Sequence, residues 1–190
     1  MFLYHYFEKE RGPFISLSDL TDEEAYKIHI SLQEGNNAFA RRNTDGKYMH
    51  WRRIVEEKTH SLFIGKGGNP VRKTPHYMIL GEHHDCRTWY KCGDCIEISI
   101  DEFDLDTVSF TYGDSFPTID PTHGDTSEYR QMVYKYDEIL QIIDKYGWPS
   151  AKWDDENIPY WTPMYIEAQV WSDIPVLAYR EKYECVKDFL

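Results

Sequence analysis

The alternation of apolar and polar residues predicts a series of strands along the chain. A period of two is typical of a strand with one buried face. The clearest cases are YIEAQVW at residues 165–171 and IEISI at residues 96–100. Further strands are predicted over residues 2–7, 76–80 and 108–112. Residues 128–136 fit a strand or a helix, and their alternation at Arg130, Met132, Tyr134 and Tyr136 favours a strand.

Helical spacing and end signals predict three helices. Thr21 and Glu24 have the spacing of a capping box, which places a helix within residues 16–34. A second helix is expected over residues 44–63, with Tyr48, Trp51, Val55 and Leu62 on one face. A third is expected to begin at Asp137 as its cap.

Together these elements predict a single α+β domain that spans residues 1–190. Helices lie mainly in the N-terminal half and strands dominate the second half, unlike the regular alternation of a doubly wound sheet. A chain of 190 residues suits one domain, and it can bury a sufficient hydrophobic core without disulfides or a structural metal. The stretch after residue 171 is compatible with either a helix or a strand.

The net charge and the cysteine usage limit which partners and which cellular compartment are expected. The net charge of −12 argues against nucleic acid as a partner, because binding to a phosphate backbone needs a basic surface. No stretch reaches the roughly 20 apolar residues of a membrane span, so no membrane partner is expected. Four cysteines without a signal-peptide pattern predict a cytoplasmic protein. The oligomeric state is left open.

The aromatic content is high for a chain of this length. Its 15 Tyr and 6 Trp exceed what a core needs. Both residue types favour half-buried pocket walls and protein-binding surfaces. A non-catalytic protein-binding module is therefore one alternative for the function.

A cluster of cysteines and histidines resembles part of a metal site. Cys86, Cys92 and Cys95 follow His83 and His84, and CGDC has the spacing of a zinc knuckle. Closed zinc sites usually use two separated knuckles, whereas only five residues lie between Cys86 and Cys92. We therefore expect free thiols and no metal, with a small zinc-binding protein that uses the His83–Cys95 cluster as the alternative.

Three features place polar groups where chemistry is plausible. His5 lies among aromatic residues in a predicted strand, and Glu167 lies within the apolar strand YIEAQVW. The polar segment SFTYGDS, Ser109–Ser115, ends a strand, where site loops are common. Each feature also has a structural explanation: a core histidine, a carboxylate on a solvated sheet face and a hairpin turn.

In their order along the chain, the segments resemble the DNA-modifying ADP-ribosyltransferase toxins and their relatives. The corresponding pieces are LYHYF, YMHWRR, TPHYMILGE, IEISI, SFTYGDS, YIEAQVW and SDIPV. They cover most of the chain. One departure is GEHHD, which stands where the family has an Arg-Ser-Pro-Met segment after its short strand.

The resemblance implies a split, mostly antiparallel sheet that clasps NAD, a small-molecule nucleotide, as a substrate. The acceptor of ADP-ribose is left open, and an inactive relic of this fold is a further alternative. The roles that the resemblance implies are catalysis by Glu167, ribose or phosphate binding by His5, nicotinamide stacking by Tyr77 or Tyr112, and pyrophosphate binding by Arg52 or Arg53.

Overall fold

The computed structural model of the chain describes residues 1–33, 47–120, 125–152, 155, 157–159 and 161–187. Its strands are β1 (Phe2–Glu8), β2 (His76–Leu80), β3 (Gly93–Ser99), β4 (Val108–Tyr112) and β5 (Ile166–Val170). Its helices are α1 (Asp22–Gln33), α2 (Tyr48–Gly65), α3 (His84–Arg87), α4 (Ser115–Ile119), α5 (Tyr136–Tyr146) and α6 (Val176–Lys187). The α+β class that the sequence pattern predicts is confirmed.

The five strands form one open sheet in the order β3-β1-β2-β5-β4, and all neighbouring strands are antiparallel. β1 pairs with β3 along its whole length. Between β1 and β2, in contrast, only Leu3–Leu80 and Tyr4–Ile79 are paired. The two strands therefore separate after Tyr4, and the sheet opens between them.

The two faces of the sheet differ in chemistry because side chains alternate along each strand. One face packs against α5 and α6 and forms the main hydrophobic core. Its largest contributors include Leu3, Met78, Ile98, Phe110, Ile166 and Val170. The other face holds aromatic and polar side chains: Tyr4, Tyr6, Tyr77, Glu167, Gln169 and Thr111.

The local end signals of α1 and α5 are present in the structure. Thr21 N donates to Glu24 Oε2 at 3.0 Å, and Glu24 N donates to Thr21 Oγ1 at 3.4 Å, so the predicted capping box is formed. The cap of α5 is Lys135, two residues before the predicted cap at Asp137, and Lys135 N donates to the side chain of Glu138.

The segment 128–136 is not a strand, which corrects the prediction from its alternation. Its only pairing among the described residues is a bridge between Phe110 and Tyr134. Gln131 adopts a φ of 57°, which no strand tolerates. The buried Arg130 donates to the carbonyls of Pro117 and Trp161. The alternating residues therefore belong to a loop that is held by hydrogen bonds to other segments.

Helices are spread over both halves of the chain, which corrects the expected concentration in the N-terminal half. Of the described helices, α4, α5 and α6 follow residue 100, and α6 occupies the stretch that the sequence left open. On the predicted face of α2, Trp51 is 52% exposed whereas Val55 is buried. None of the helices in the described ranges has the length and apolar character needed to cross a membrane.

Candidate functional site

A cleft of about 430 Å³ lies at the opening between β1 and β2. This volume is within the range of small-molecule sites. Residues from β1, β2, β5, α2 and the start of α4 line it. They include His5, Arg52, Tyr77, Trp89, Asp114 and Glu167.

Glu167 is held on the cleft face of β5 by a buried network of side chains. Gln169 Nε2 donates to Glu167 Oε1 at 3.0 Å and lies 3.1 Å from Thr111 Oγ1. Ser109 Oγ donates to Gln169 Oε1 at 2.8 Å and accepts from Trp171 Nε1 at 2.8 Å. Two neighbouring strands therefore fix the position of the carboxylate.

The surroundings of Glu167 favour its protonated form. Burial, together with the nearby charge of Asp114, raises the pKa of this carboxyl to about 8. The side chains of Ser115, Gln169 and Arg52 act in the opposite direction. Ser115 Oγ lies near the carboxyl but has no hydrogen-bond partner among the described residues. A carboxyl with such a shift in a cleft is typical of a functional site.

Arg52 reaches the cleft from α2 and is fixed by polar partners. Its Nε lies 2.7 Å from Ser18 Oγ and 3.1 Å from Glu56 Oε1, and Nη1 donates to Tyr48 OH at 3.1 Å. Its guanidinium carbon lies 4.7 Å from the centre of the Tyr77 ring. The cation is therefore held in a fixed orientation beside an aromatic wall.

Arg53, the other arginine considered, does not line the cleft. Its Nη2 lies 2.7 Å from Asp22 Oδ1 and also donates to the carbonyl of Leu20. It thus ties α2 to the start of α1. Of the two adjacent arginines, the structure brings only Arg52 near Glu167.

His5 fills the place where β1 and β2 part. Its Nδ1 lies 3.0 Å from the carbonyl oxygen of Tyr77, and Phe14 N donates to its Nε2 at 2.8 Å. This pattern requires a neutral ring with its proton on Nδ1. Burial lowers the pKa of His5 to about 4. Both nitrogens thus bond to the backbone, and a role in binding ribose or phosphate stays a prediction.

Tyr77 and Tyr112 lie on opposite faces of the sheet. Tyr77 lines the cleft, and its hydroxyl donates to Glu56 Oε1 at 3.0 Å. Burial raises its pKa, so the hydroxyl is a neutral donor. Tyr112 belongs to the main hydrophobic core and donates to the carbonyl of Gly147 at 2.9 Å. Only Tyr77 is placed to meet a ligand in the cleft.

Three residues of the cleft region, Glu56, Asp114 and Trp89, were not predicted as site residues from the sequence. Glu56 follows Arg52 by four positions on a helix, a spacing that typically pairs opposite charges, so this signal was present in the sequence. Asp114 belongs to the SFTYGDS segment, but its place in the cleft depends on contacts with residues far along the chain, such as Tyr165. Nothing in the local sequence marks Trp89.

The cysteine and histidine cluster surrounds α3 and the start of β3. Cys86 is fully buried, and burial raises the pKa of its thiol, whereas Cys92 is exposed. β3 starts at Gly93 instead of Ile96, so CGDC runs into the strand. Across the parts of the chain that are described, no three His, Cys, Asp or Glu side chains are arranged to hold a metal ion.

Comparisons with known proteins give no assignment for this chain. No protein-family model, no curated protein and no solved structure matches it. A functional proposal therefore depends on the geometry and chemistry of the cleft.

Proposed function

We propose that the chain is an ADP-ribosyltransferase-like enzyme that cleaves NAD at the bond between nicotinamide and ribose. The proposal rests above all on one observation: buried Glu167 lies in the same cleft as Arg52 and Tyr77. A carboxylate, a fixed cation and an aromatic ring are the groups that this reaction needs.

The carboxylate matters because the reaction creates positive charge on the ribose. When the bond from ribose C1′ to the nicotinamide nitrogen breaks, its electron pair leaves with nicotinamide. The ribose then resembles an oxocarbenium ion, as in glycoside cleavage. An ionised Glu167 stabilises this charge, and the low-dielectric surroundings of the buried side chain strengthen the interaction.

The other two groups account for binding. A guanidinium recognises phosphate oxygens through paired donors, so Arg52 would hold the pyrophosphate of NAD. Arg52 Nη2 makes no hydrogen bond to any described residue, which leaves it for this contact. The Tyr77 ring offers a flat surface against which nicotinamide can stack.

The opening of the sheet between β1 and β2 supports the same proposal. A sheet that divides next to the proposed carboxylate is the arrangement expected of the split ADP-ribosyltransferase fold. The net charge of −12 disfavours a nucleic acid as the acceptor.

Titration of the purified protein with NAD tests the proposal. We expect heat of binding and release of nicotinamide by the wild type. Glu167→Gln should bind NAD but release nicotinamide about 10²–10³-fold more slowly, because it loses a preorganised charge at the reacting centre. Glu57→Gln, which changes an exposed carboxylate on α2, is the matched control and should keep wild-type turnover.

Two results would contradict the proposal. Absence of both heat and turnover would favour a non-catalytic binding module. Unchanged turnover by Glu167→Gln would show that this carboxylate has no part in the reaction.

A further inference from the structure

We propose that Asp114 is the general base that removes the proton from the acceptor of ADP-ribose. This inference rests on the proposed function and extends it to the second substrate. The acceptor is then an uncharged O–H or N–H group, since a carboxylate or thiolate acceptor would need no base.

The backbone brings Asp114 next to Glu167. β4 ends at Tyr112, and Gly113 forms a bridge with Ile166, the neighbour of Glu167 on β5. Gly113 has a φ of 111°, a conformation that residues with a side chain rarely adopt. This residue turns the chain from β4 into α4. Asp114 and Glu167 consequently line the same end of the cleft.

The Asp114 carboxylate is fixed by its neighbours while it faces the cleft. Oδ1 accepts from Phe116 N at 2.8 Å and caps α4, and Oδ2 accepts from Tyr165 OH at 3.1 Å. These two bonds fix the orientation of the carboxylate. The charge of Asp114 also raises the pKa of Glu167, which places the two carboxyl groups near each other.

The wall beside Asp114 has features of a second binding position. Trp89 packs on Tyr165 with ring centres 5.6 Å apart. Trp89 Nε1 is buried and lacks a hydrogen-bond partner among the described residues, and so does the hydroxyl of Ser115. A buried donor without a partner is energetically costly. A bound second substrate that carries an oxygen beside its nucleophile would accept a hydrogen bond from such a donor.

The negative charge at this end of the cleft selects the acceptor. The Asp114 carboxylate repels an anion, and the chain as a whole is acidic. A neutral nucleophile approaches without this repulsion and is activated as its proton leaves.

The transfer exchanges one bond at ribose C1′ for another. The nucleophile forms a bond to ribose C1′ on the Asp114 side while the bond from C1′ to the nicotinamide nitrogen breaks. The electron pair of that bond neutralises the pyridinium nitrogen of nicotinamide. The proton of the nucleophile passes to the Asp114 carboxylate and then to solvent.

Hydrolysis of NAD by the full chain, with water as the acceptor, tests this role. Asp114→Asn should lower the rate of nicotinamide release about 10²-fold or more, because water loses its base. The fold should survive, since asparagine caps helices as well as aspartate does. Asp104→Asn changes an exposed aspartate that caps another turn and should keep the wild-type rate.

Sodium azide separates a base from a structural residue. Azide carries no proton to lose, so it should restore nicotinamide release by Asp114→Asn and yield ADP-ribosyl azide. It should not restore release by Glu167→Gln, where the ribose cation lacks its carboxylate.

The outcomes distinguish the two proposals. Wild-type turnover by Asp114→Asn, or a slow variant that azide neither accelerates nor converts to the azide product, would overturn the role of Asp114 alone. A wild type that releases no nicotinamide would overturn the proposed function and this inference with it.

Discussion

Replacement of Glu56 by alanine is expected to destabilise the protein by about 3–5 kcal/mol, because it leaves the Arg52 charge buried without its partner. Glu56 Oε1 accepts from Ser18 Oγ at 2.6 Å and from Tyr77 OH at 3.0 Å, and lies 3.1 Å from Arg52 Nε. The Glu56 side chain is only 2% exposed. One substitution thus removes the shared acceptor of three groups.

Urea denaturation measures this effect as a lower midpoint at unchanged slope. Glu57→Ala, at the next and exposed position of α2, is the matched control and should change stability by no more than about 0.5 kcal/mol. The double variant Arg52→Met with Glu56→Leu should recover much of the loss, because both charges are then absent. A loss for Glu56→Ala no larger than that of Glu57→Ala would contradict the importance of the buried pair.

The second large effect is a fall in stability of the unliganded protein as the pH rises from about 4.5 to about 8. The pKa of Glu167 is about 8 in the fold, against an ordinary value of 4.5. Between these values the folded state keeps the proton and the unfolded state has lost it. The stabilisation from the bound proton is therefore present below pH 4.5 and is lost as the pH rises through 8, at a cost on the order of 4 kcal/mol.

The groups around Glu167 determine the pH range over which the stability falls. Asp114 raises the pKa of Glu167, whereas Ser115, Gln169 and Arg52 lower it. His5 contributes with the opposite sign. Because its pKa is lowered from 6.5 to about 4, stability from His5 increases as the pH rises between those values.

Glu167→Gln isolates the contribution of this one carboxyl. The variant keeps a neutral side chain of similar shape, so its stability should lack the decline toward pH 8. The difference in unfolding free energy between variant and wild type, measured in urea at pH 5 and pH 8, cancels the contribution of His5. Parallel stability curves for the two proteins would contradict a raised pKa at Glu167.

Both effects reflect a site whose charges are held in place at a cost in stability. A buried carboxyl that prefers its proton weakens the fold at the pH where it ionises. The same preorganisation is what electrostatic stabilisation of a cationic ribose requires. NAD binding should therefore stabilise the protein most at the higher pH, where the ionised carboxylate gains a positive partner.

Much of the secondary structure was determined locally and could be predicted from the sequence. The predicted strands at residues 76–80 and 108–112 coincide with β2 and β4. The capping box of Thr21 and Glu24 is formed as its spacing implies. These features depend on residues within a few positions of each other, so the pattern contains the information.

Elements that depend on distant contacts could not be predicted in this way. Residues 128–136 alternate like a strand, but Arg130 is buried by hydrogen bonds to carbonyls of other segments. The C-terminal stretch carries no decisive local signal, and α6 packs its first residue, Val176, into the main core. In both cases the tertiary environment decides.

The candidate site, like the fold, could be predicted from the sequence only in part. The sequence alone singled out Glu167 as a candidate, because a carboxylate within an apolar strand is unusual wherever the strand lies. It could not choose between Arg52 and Arg53, since adjacent helical positions differ only in which one the packing of α2 turns toward the sheet. Only strand register placed Tyr77 in the cleft and Tyr112 in the core. The contacts of Asp114 and Glu56 with other segments arise because folding brings together residues that lie far apart in the chain.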